Sequence, residues 1–146
     1  EPSQIRIAPE GSWPLDFQVL VQPVLDQHCV RCHQTGVEGE GSKTNLVSAS
    51  AYNTLVDFGG QRSLRKHVQA RYDARRSLAG AGGAMSSPLT ELLEKGHYEV
   101  KLNGEDRERL NIWMDTYAQR AGSYSVDQQQ QLRQLQKQWA PLLTQR

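Results

Sequence analysis

The chain has 146 residues, which suits one domain with flanking segments and argues against two independent cores. Only 37% of the residues are hydrophobic and the mean hydropathy is −0.67, so we expect many loops and a core filled partly by something other than side chains. The net charge of +1, from 17 basic and 16 acidic residues, gives no overall reason to expect nucleic acid or an anionic membrane as a partner.

The N-terminal segment, residues 1–14, carries Pro2, Pro9 and Pro14, which predict an extended lead-in to the domain. Its start lacks the basic and apolar regions of a signal peptide, and no later run is long and apolar enough to cross a bilayer. We therefore expect a soluble chain that is either a mature protein or a domain of a longer one.

Helical patterns follow the lead-in. Apolar residues spaced by three and four from Phe17 to Leu25 predict a helix that leads into Cys29 and that either kinks or begins at Pro23. Glycines mark a loop over residues 34–43, and Ser50 is a candidate N-cap for a short helix that ends at glycines 59 and 60. Six basic residues and one acid occupy residues 61–76, which indicates a solvated helix face or a docking patch.

The second half of the chain predicts three more helices. One begins at Ser87-Pro88, after a loop that carries Met85, and stops at Gly96. Asn103 is the expected cap of the next, which has an apolar stripe and an end at Gly122; the stripe is Leu110, Trp113, Met114 and Tyr117. The last lies within residues 125–146, with a possible capping box of Ser125 and Gln128 and an end near Pro141. Its apolar residues have nearly heptad spacing, which suits packing on this domain or on a neighbour. They are Leu132, Leu135, Trp139 and Leu142. The pattern as a whole predicts an all-α fold.

The two cysteines of the chain lie in the segment QHCVRCH, residues 27–33. A disulfide between Cys29 and Cys32 would close a very short loop, where the stabilisation from a disulfide is smallest. A structural zinc site would lack its usual second pair of ligands. A thioredoxin-like dithiol would lack its βαβ context. Cys-x-x-Cys-His is the attachment motif of c-type haem: both cysteines bond to one edge of the porphyrin, and His33 becomes the proximal iron ligand. The motif predicts one covalent haem c, and attachment outside the bacterial cytoplasmic membrane.

The other axial position decides between an electron carrier and a ligand-binding or peroxide-active haem. Met114 looks like core filler, His28 adjoins the proximal motif, and His67 sits among arginines on an exposed helix. Spacing alone leaves His97, after the helix-stopping Gly96, and Met85, in the glycine-rich loop, as equal candidates.

Three stretches resemble the c-type haem domains of large secreted bacterial proteins: residues 21–33, residues 87–115 and the GSY at 122–124. That group includes the C-terminal haem region of hydrazine synthase alpha-like proteins and cytochrome modules of carbohydrate-active proteins, and the likeness spans residues 15–124. The resemblance implies a small cytochrome c-like helical domain in which the Gly-His element supplies the distal ligand. It therefore favours His97 over Met85. An aromatic residue usual before GSY is missing, and the tail from 125 is extra.

Together, motif and resemblance lead us to expect a monohaem electron carrier, not an enzyme, in the periplasm or at the cell surface of a bacterium. Its partner would be another redox protein, which the resemblance suggests is a secreted copper oxidoreductase such as a lytic polysaccharide monooxygenase. The basic run over residues 61–76 is the candidate docking surface, which predicts transfer rates that fall with added salt. Two alternatives are a peroxidase-like enzyme, with Tyr98, Arg71 and His67 as distal polar groups, and a sensor or interaction module.

Overall fold

The computed structural model describes residues 15–76, 80–121 and 126–143, and within these ranges the fold is all-α, with no β-strand. The expected lead-in over residues 1–14, the GSY at 122–124 and Ser125 lie outside the described residues. Helices occupy the following bounds: α1 Phe17–Leu20, α2 Gln22–His28, α3 Ala51–Asp57, α4 Leu64–Ala74, α5 Gly83–Ser86, α6 Pro88–Lys95, α7 Gly104–Asp115 and α8 Val126–Leu143. Short 3₁₀ turns at Glu40–Lys43 and Gly60–Arg62 interrupt two of the loops.

The first apolar stripe forms two helices, because the backbone breaks at Val21. Asp16 caps α1 by accepting the N–H of Gln18, and Pro23 lies in the first turn of α2, where its missing N–H breaks no helical bond. The expectation that a helix begins at Pro23 is thus correct to within one residue. Helix α2 ends at His28, and the N–H of Cys29 closes its last turn on the carbonyl of Leu25.

An aromatic cluster forms the centre of the core. The Phe17 ring lies 5.4 Å from that of Tyr52 and 5.3 Å from that of Trp113, both edge to face. The polar ends of two of these side chains have partners, since Tyr52 donates to the carbonyl of Ala118 and the Trp113 indole donates to that of Gln119, each at 3.0 Å. These bonds fix the chain beyond α7 against α3 and against α7 itself, and the N–H of Phe17 ties it to α1 by donating to the carbonyl of Arg120 at 3.1 Å.

Helix α7 ends earlier than its sequence pattern predicts. Leu110, Trp113 and Met114 are buried as expected, but the helix stops at Asp115 instead of continuing to Gly122, which lies outside the described residues. Tyr117 has a left-handed φ of 67° and is half exposed, so its inclusion in the buried stripe was wrong. The N–H of Thr116 still makes the helical bond to the carbonyl of Ile112, but the N–H of Ala118 donates to the carbonyl of Trp113 five residues earlier, so the helical pattern ends there.

Local capping signals account for the other helix ends. Ser87 accepts the N–H of Leu89, Asn103 accepts the N–H of Asp106, and α6 stops at Gly96, all as the sequence predicts. Ser50 precedes α3 as expected, but its hydroxyl donates to the carbonyls of residues 45 and 47 instead of capping the helix.

Helix α8 leaves its apolar face exposed. Leu132, Leu135, Trp139 and Leu142 are between 39% and 64% exposed, and the helix continues to Leu143, past Pro141. Arg133 contacts Asp16 at 3.6 Å, which links α8 to the start of α1. No helix among the described residues has the length and apolar character needed to span a membrane.

Candidate cofactor site

The two cysteines and the histidine of the motif lie on one tight turn that follows α2. The carbonyl of Cys29 accepts the N–H groups of both Cys32, at 3.1 Å, and His33, at 3.0 Å. Helical geometry thus persists locally for one more turn and brings Cys32 and His33 back over Cys29. Cys29 is half-buried and Cys32 is exposed, and both thiols are free.

The environment of Cys29 keeps its thiol protonated. Burial, and to a lesser degree the nearby Cys32, raise the pKa of Cys29 to about 11. Because the thiolate is the nucleophilic form, this side chain resists alkylation and disulfide exchange at neutral pH.

The ring of His33 is held in one orientation by the loop that contains Gly41. Its Nδ1 lies 3.1 Å from the carbonyl oxygen of Gly41. A carbonyl only accepts hydrogen bonds, so Nδ1 carries the proton and the lone pair of neutral His33 is on Nε2. A side chain on Gly41 would collide with the carbonyl of Cys32, which explains why this loop position carries glycine.

His97 faces His33 from the opposite side. It follows the end of α6 and lies between Gly96, with a φ of 88°, and Tyr98, with a φ of 50°. The two Nε2 atoms are 3.4 Å apart, the ring centroids 5.7 Å apart, and the ring planes differ by 22°. Two metal–imidazole bonds of about 2 Å each would place such nitrogens about 4 Å apart, so the pair is close to the spacing of two axial ligands.

A cavity of about 540 Å³ opens at this pair of histidines. Cofactor sites commonly have volumes of roughly 300–1,000 Å³, far above the voids of a packed interior. Cys29, Cys32, His33 and His97 all contribute to its wall, which is otherwise largely apolar. The apolar side chains include Leu46, Leu55, Phe58, Leu89, Leu92 and Val100.

One side of the cavity is braced by a polar contact between α2 and α7. The Nε2 atom of His28 is 2.8 Å from a carboxylate oxygen of Asp106, and both side chains are nearly buried. Asp106 is itself fixed, since its N–H donates to the Asn103 side chain at the start of α7. The contact ties the residue before Cys29 to a second helix.

The structure places three of the other four candidate ligands, Met85, Met114 and His67, away from this cavity. Met85 lies on α5 and is 75% exposed, while Met114 is buried in the core, where Thr90 approaches its sulfur at 4.0 Å. His67 lies on α4, where burial and, secondarily, Arg71 lower its pKa against the opposing effect of Asp115. His28, by contrast, contributes to the cavity wall.

Two positions at the site, Gly41 and Asp106, were not singled out by sequence reasoning. Gly41 is one of several glycines in a loop, and Asp106 reads as an ordinary acidic residue in the first turn of α7. Nothing in the sequence marks either one, because each acts through a contact made only in the folded chain.

The cavity wall fits a haem in two respects. Two opposed imidazoles meet its need for axial ligands, and two cysteines lie on the same wall within one turn of the proximal histidine. The described residues contain no group of three or more His, Cys, Asp or Glu side chains that could hold a metal ion by themselves. Comparison with protein-family models, curated proteins and solved structures found no match to this chain.

Proposed function

We propose that the chain is a monohaem c-type cytochrome domain that relays single electrons between redox partners. The observation that carries the proposal is the opposed pair of His33 and His97, with Nε2 atoms 3.4 Å apart, at a largely apolar cavity whose wall also contains Cys29 and Cys32. A haem supplies one-electron chemistry when bound.

The residues of the site have separate roles in this proposal. Cys29 and Cys32 would hold a haem covalently through thioether bonds, and His33 and His97 would be the ligands of its iron. The carbonyl of Gly41 keeps the proton of His33 on Nδ1, which leaves Nε2 for the iron and raises the basicity of the ring. Ligation by two histidines predicts a lower reduction potential than ligation by histidine and methionine.

The largely apolar wall limits the water around the cofactor. Leu89, Leu92 and Val100 lie on the same wall as His97, and Leu46 and Leu55 contribute apolar surface from other elements. A low-dielectric surrounding of apolar side chains responds little when the charge on the iron changes by one, which suits an electron carrier. We extend the proposal to a bacterial periplasmic or cell-surface location and to a redox protein partner, with a secreted copper polysaccharide monooxygenase as the candidate acceptor.

The test is expression of the chain together with a haem-attachment system, followed by intact-mass analysis and absorption spectroscopy. We expect one haem that acid–acetone does not extract, a low-spin spectrum in the reduced protein, and reversible one-electron cycling. His97→Ala should give a five-coordinate high-spin spectrum, whereas Met85→Ala, as the matched control, should leave the spectrum unchanged. An extractable haem would contradict covalent attachment, and a Met85→Ala protein that loses its low-spin spectrum would contradict the ligand assignment.

A further inference from the structure

His33 and His97, which face each other at the cavity, are supported unequally. His33 donates its main-chain N–H to the carbonyl of Cys29 at 3.0 Å, accepts the N–H of Leu46 at 2.9 Å, and donates from its ring to Gly41 at 3.1 Å. These three bonds tie it to three separate segments. Such support is what normally fixes the orientation of a metal-binding imidazole.

His97 has weaker support within the described part of the chain. Its carbonyl accepts the N–H of Val100 at 3.1 Å, which is a bond inside its own loop. The hydrogen bond and ring contacts of its side chain are to His33 and to the edge of the Tyr98 ring, whose centroid lies 5.0 Å away. Tyr98 is 91% exposed, so this contact does not tie the loop to the core.

The backbone on both sides of His97 is strained or unsupported. Gly96 has a φ of 88°, and no atom lies within 4 Å of the place where a Cβ would be. Tyr98 has a φ of 50°, a conformation that a tyrosine adopts at an energetic cost. A loop of this kind can swing outward without breaking packing contacts of the core.

The wall next to His97 favours uncharged molecules. Helix α6 contributes Leu89, Leu92 and Leu93, and the loop adds Val100, while the charged Glu99 and Lys101 are exposed at its edge. A haem face with apolar surroundings and few hydrogen-bond donors suits the binding of small neutral ligands better than peroxide activation.

On the basis of the proposed function, we infer that His97 is an exchangeable ligand and that the domain also binds small uncharged π-acceptor molecules, such as CO or NO, at the face that His97 leaves. In this exchange the bond between iron and His97 Nε2 breaks and a bond between iron and the incoming molecule forms. No electron is transferred. His97 keeps its lone pair and accepts a hydrogen bond from water.

The experiment mixes the reduced, haem-loaded protein with CO at increasing concentration and follows absorbance by stopped flow. If His97 must leave first, the observed rate rises with CO and then reaches a limit equal to the rate at which His97 dissociates. Gly96→Ala should raise this limiting rate about tenfold, since alanine disfavours the φ of 88°. Gly36→Ala is the matched control, because Gly36 has the same φ of 88° and equally open surroundings but lies in a different loop.

A second readout requires no added ligand. Hydrogen exchange of the haem-loaded protein should show faster exchange at the amides of Tyr98 and Val100 than at those of His33 and Leu46. This ordering follows from the support of the two histidines and does not depend on the rate of any reaction.

Several results would overturn the inference. A reduced spectrum that CO does not change over hours, or equal acceleration by Gly36→Ala and Gly96→Ala, would refute an exchangeable His97 while leaving the electron-carrier proposal intact. Rates that rise linearly with CO and match those of His97→Ala would show that His97 is not bound to iron. A chain that acquires no covalent haem would refute the proposed function, and the inference with it.

Discussion

Gly41→Ala is the substitution that tests the proximal side of the site most directly. A Cβ at this position would lie 3.2 Å from the carbonyl carbon of Cys32 and closer still to its oxygen. Both opposing groups are backbone, so neither can rotate away. Because an ordinary contact between carbon and oxygen needs about 3.3–3.6 Å, the loop and the turn that contains Cys32 must separate by roughly 1 Å.

The expected consequence is loss of the hydrogen bond to His33. A displacement of this size stretches the Nδ1–oxygen distance from 3.1 Å beyond hydrogen-bonding range. A hydrogen bond contributes about 0.5–1.5 kcal/mol, and under the proposed function its loss would make the ring a poorer electron donor and so disfavour the oxidised iron. At 59 mV per tenfold change, which is about 1.4 kcal/mol, the reduction potential should rise by about 20–60 mV. Overpacking should lower the free energy of unfolding by about 1–3 kcal/mol.

Spectroelectrochemical titration of the haem-loaded protein measures the potential, and urea unfolding measures the stability. Gly104→Ala is the control, because a Cβ there meets no atom within 4 Å and Gly104 lies in the first turn of α7. It should change neither quantity appreciably. A potential that stays constant or falls in Gly41→Ala, while the stability drops, would show that the carbonyl of Gly41 does not tune His33.

Three further predictions concern other parts of the chain. Trp113→Ala should lower the free energy of unfolding in urea by about 3–5 kcal/mol, because the indole is fully buried in the aromatic core; a loss below 1 kcal/mol would contradict that core. Trp139→Gln on α8 should change it by less than about 0.5 kcal/mol, since this side chain is half exposed, and a larger loss would indicate an unrecognised contact. In the chain without haem, iodoacetamide at pH 8 should modify Cys32 well before Cys29, because a pKa of about 11 leaves only about one Cys29 thiol in a thousand as thiolate. Mass spectrometry of the peptides gives the order in which the two cysteines are modified.

Features with a local cause were predictable from the sequence. Ser87, Asn103 and Gly96 act within three residues of themselves, so their capping roles follow from residue type alone. The end of α7 was not predictable in this way. Its apolar spacing continues to Tyr117, but the helix stops before left-handed conformations at Tyr117 and Ala118. Neither residue is a glycine, so the sequence does not indicate these conformations.

The site shows the same division. Cys29, Cys32 and His33 are contiguous, so their spacing alone predicts one turn and a shared chemistry. His97 is 64 residues from His33. Spacing alone made His97 and Met85 equal candidates for the second ligand, and only the resemblance favoured His97. The structure brings His97, but not Met85, to the cavity.

The expected docking surface, residues 61–76, does not contribute to the lining of the cavity. Arg62 pairs with Glu91 at 2.9 Å and Arg65 with Asp57 at 2.6 Å, so part of the positive charge of residues 61–76 is already neutralised. No residue of α4 lines the cavity. Arg31, by contrast, contributes to its wall.

Electron transfer requires close approach of two cofactors, whereas electrostatic steering acts over about 10 Å at 0.1 M salt. If the chain carries electrons as proposed, the charges of residues 61–76 would raise the rate of encounter without marking the point of electron exchange. That point is better sought at the edge of the cavity, where the exposed residues Arg31, Glu99 and Lys101 contribute to the wall. Under the proposed function, steering and electron exchange would then be separable: added salt would weaken the first, while the packing around His33 and His97 would determine the second.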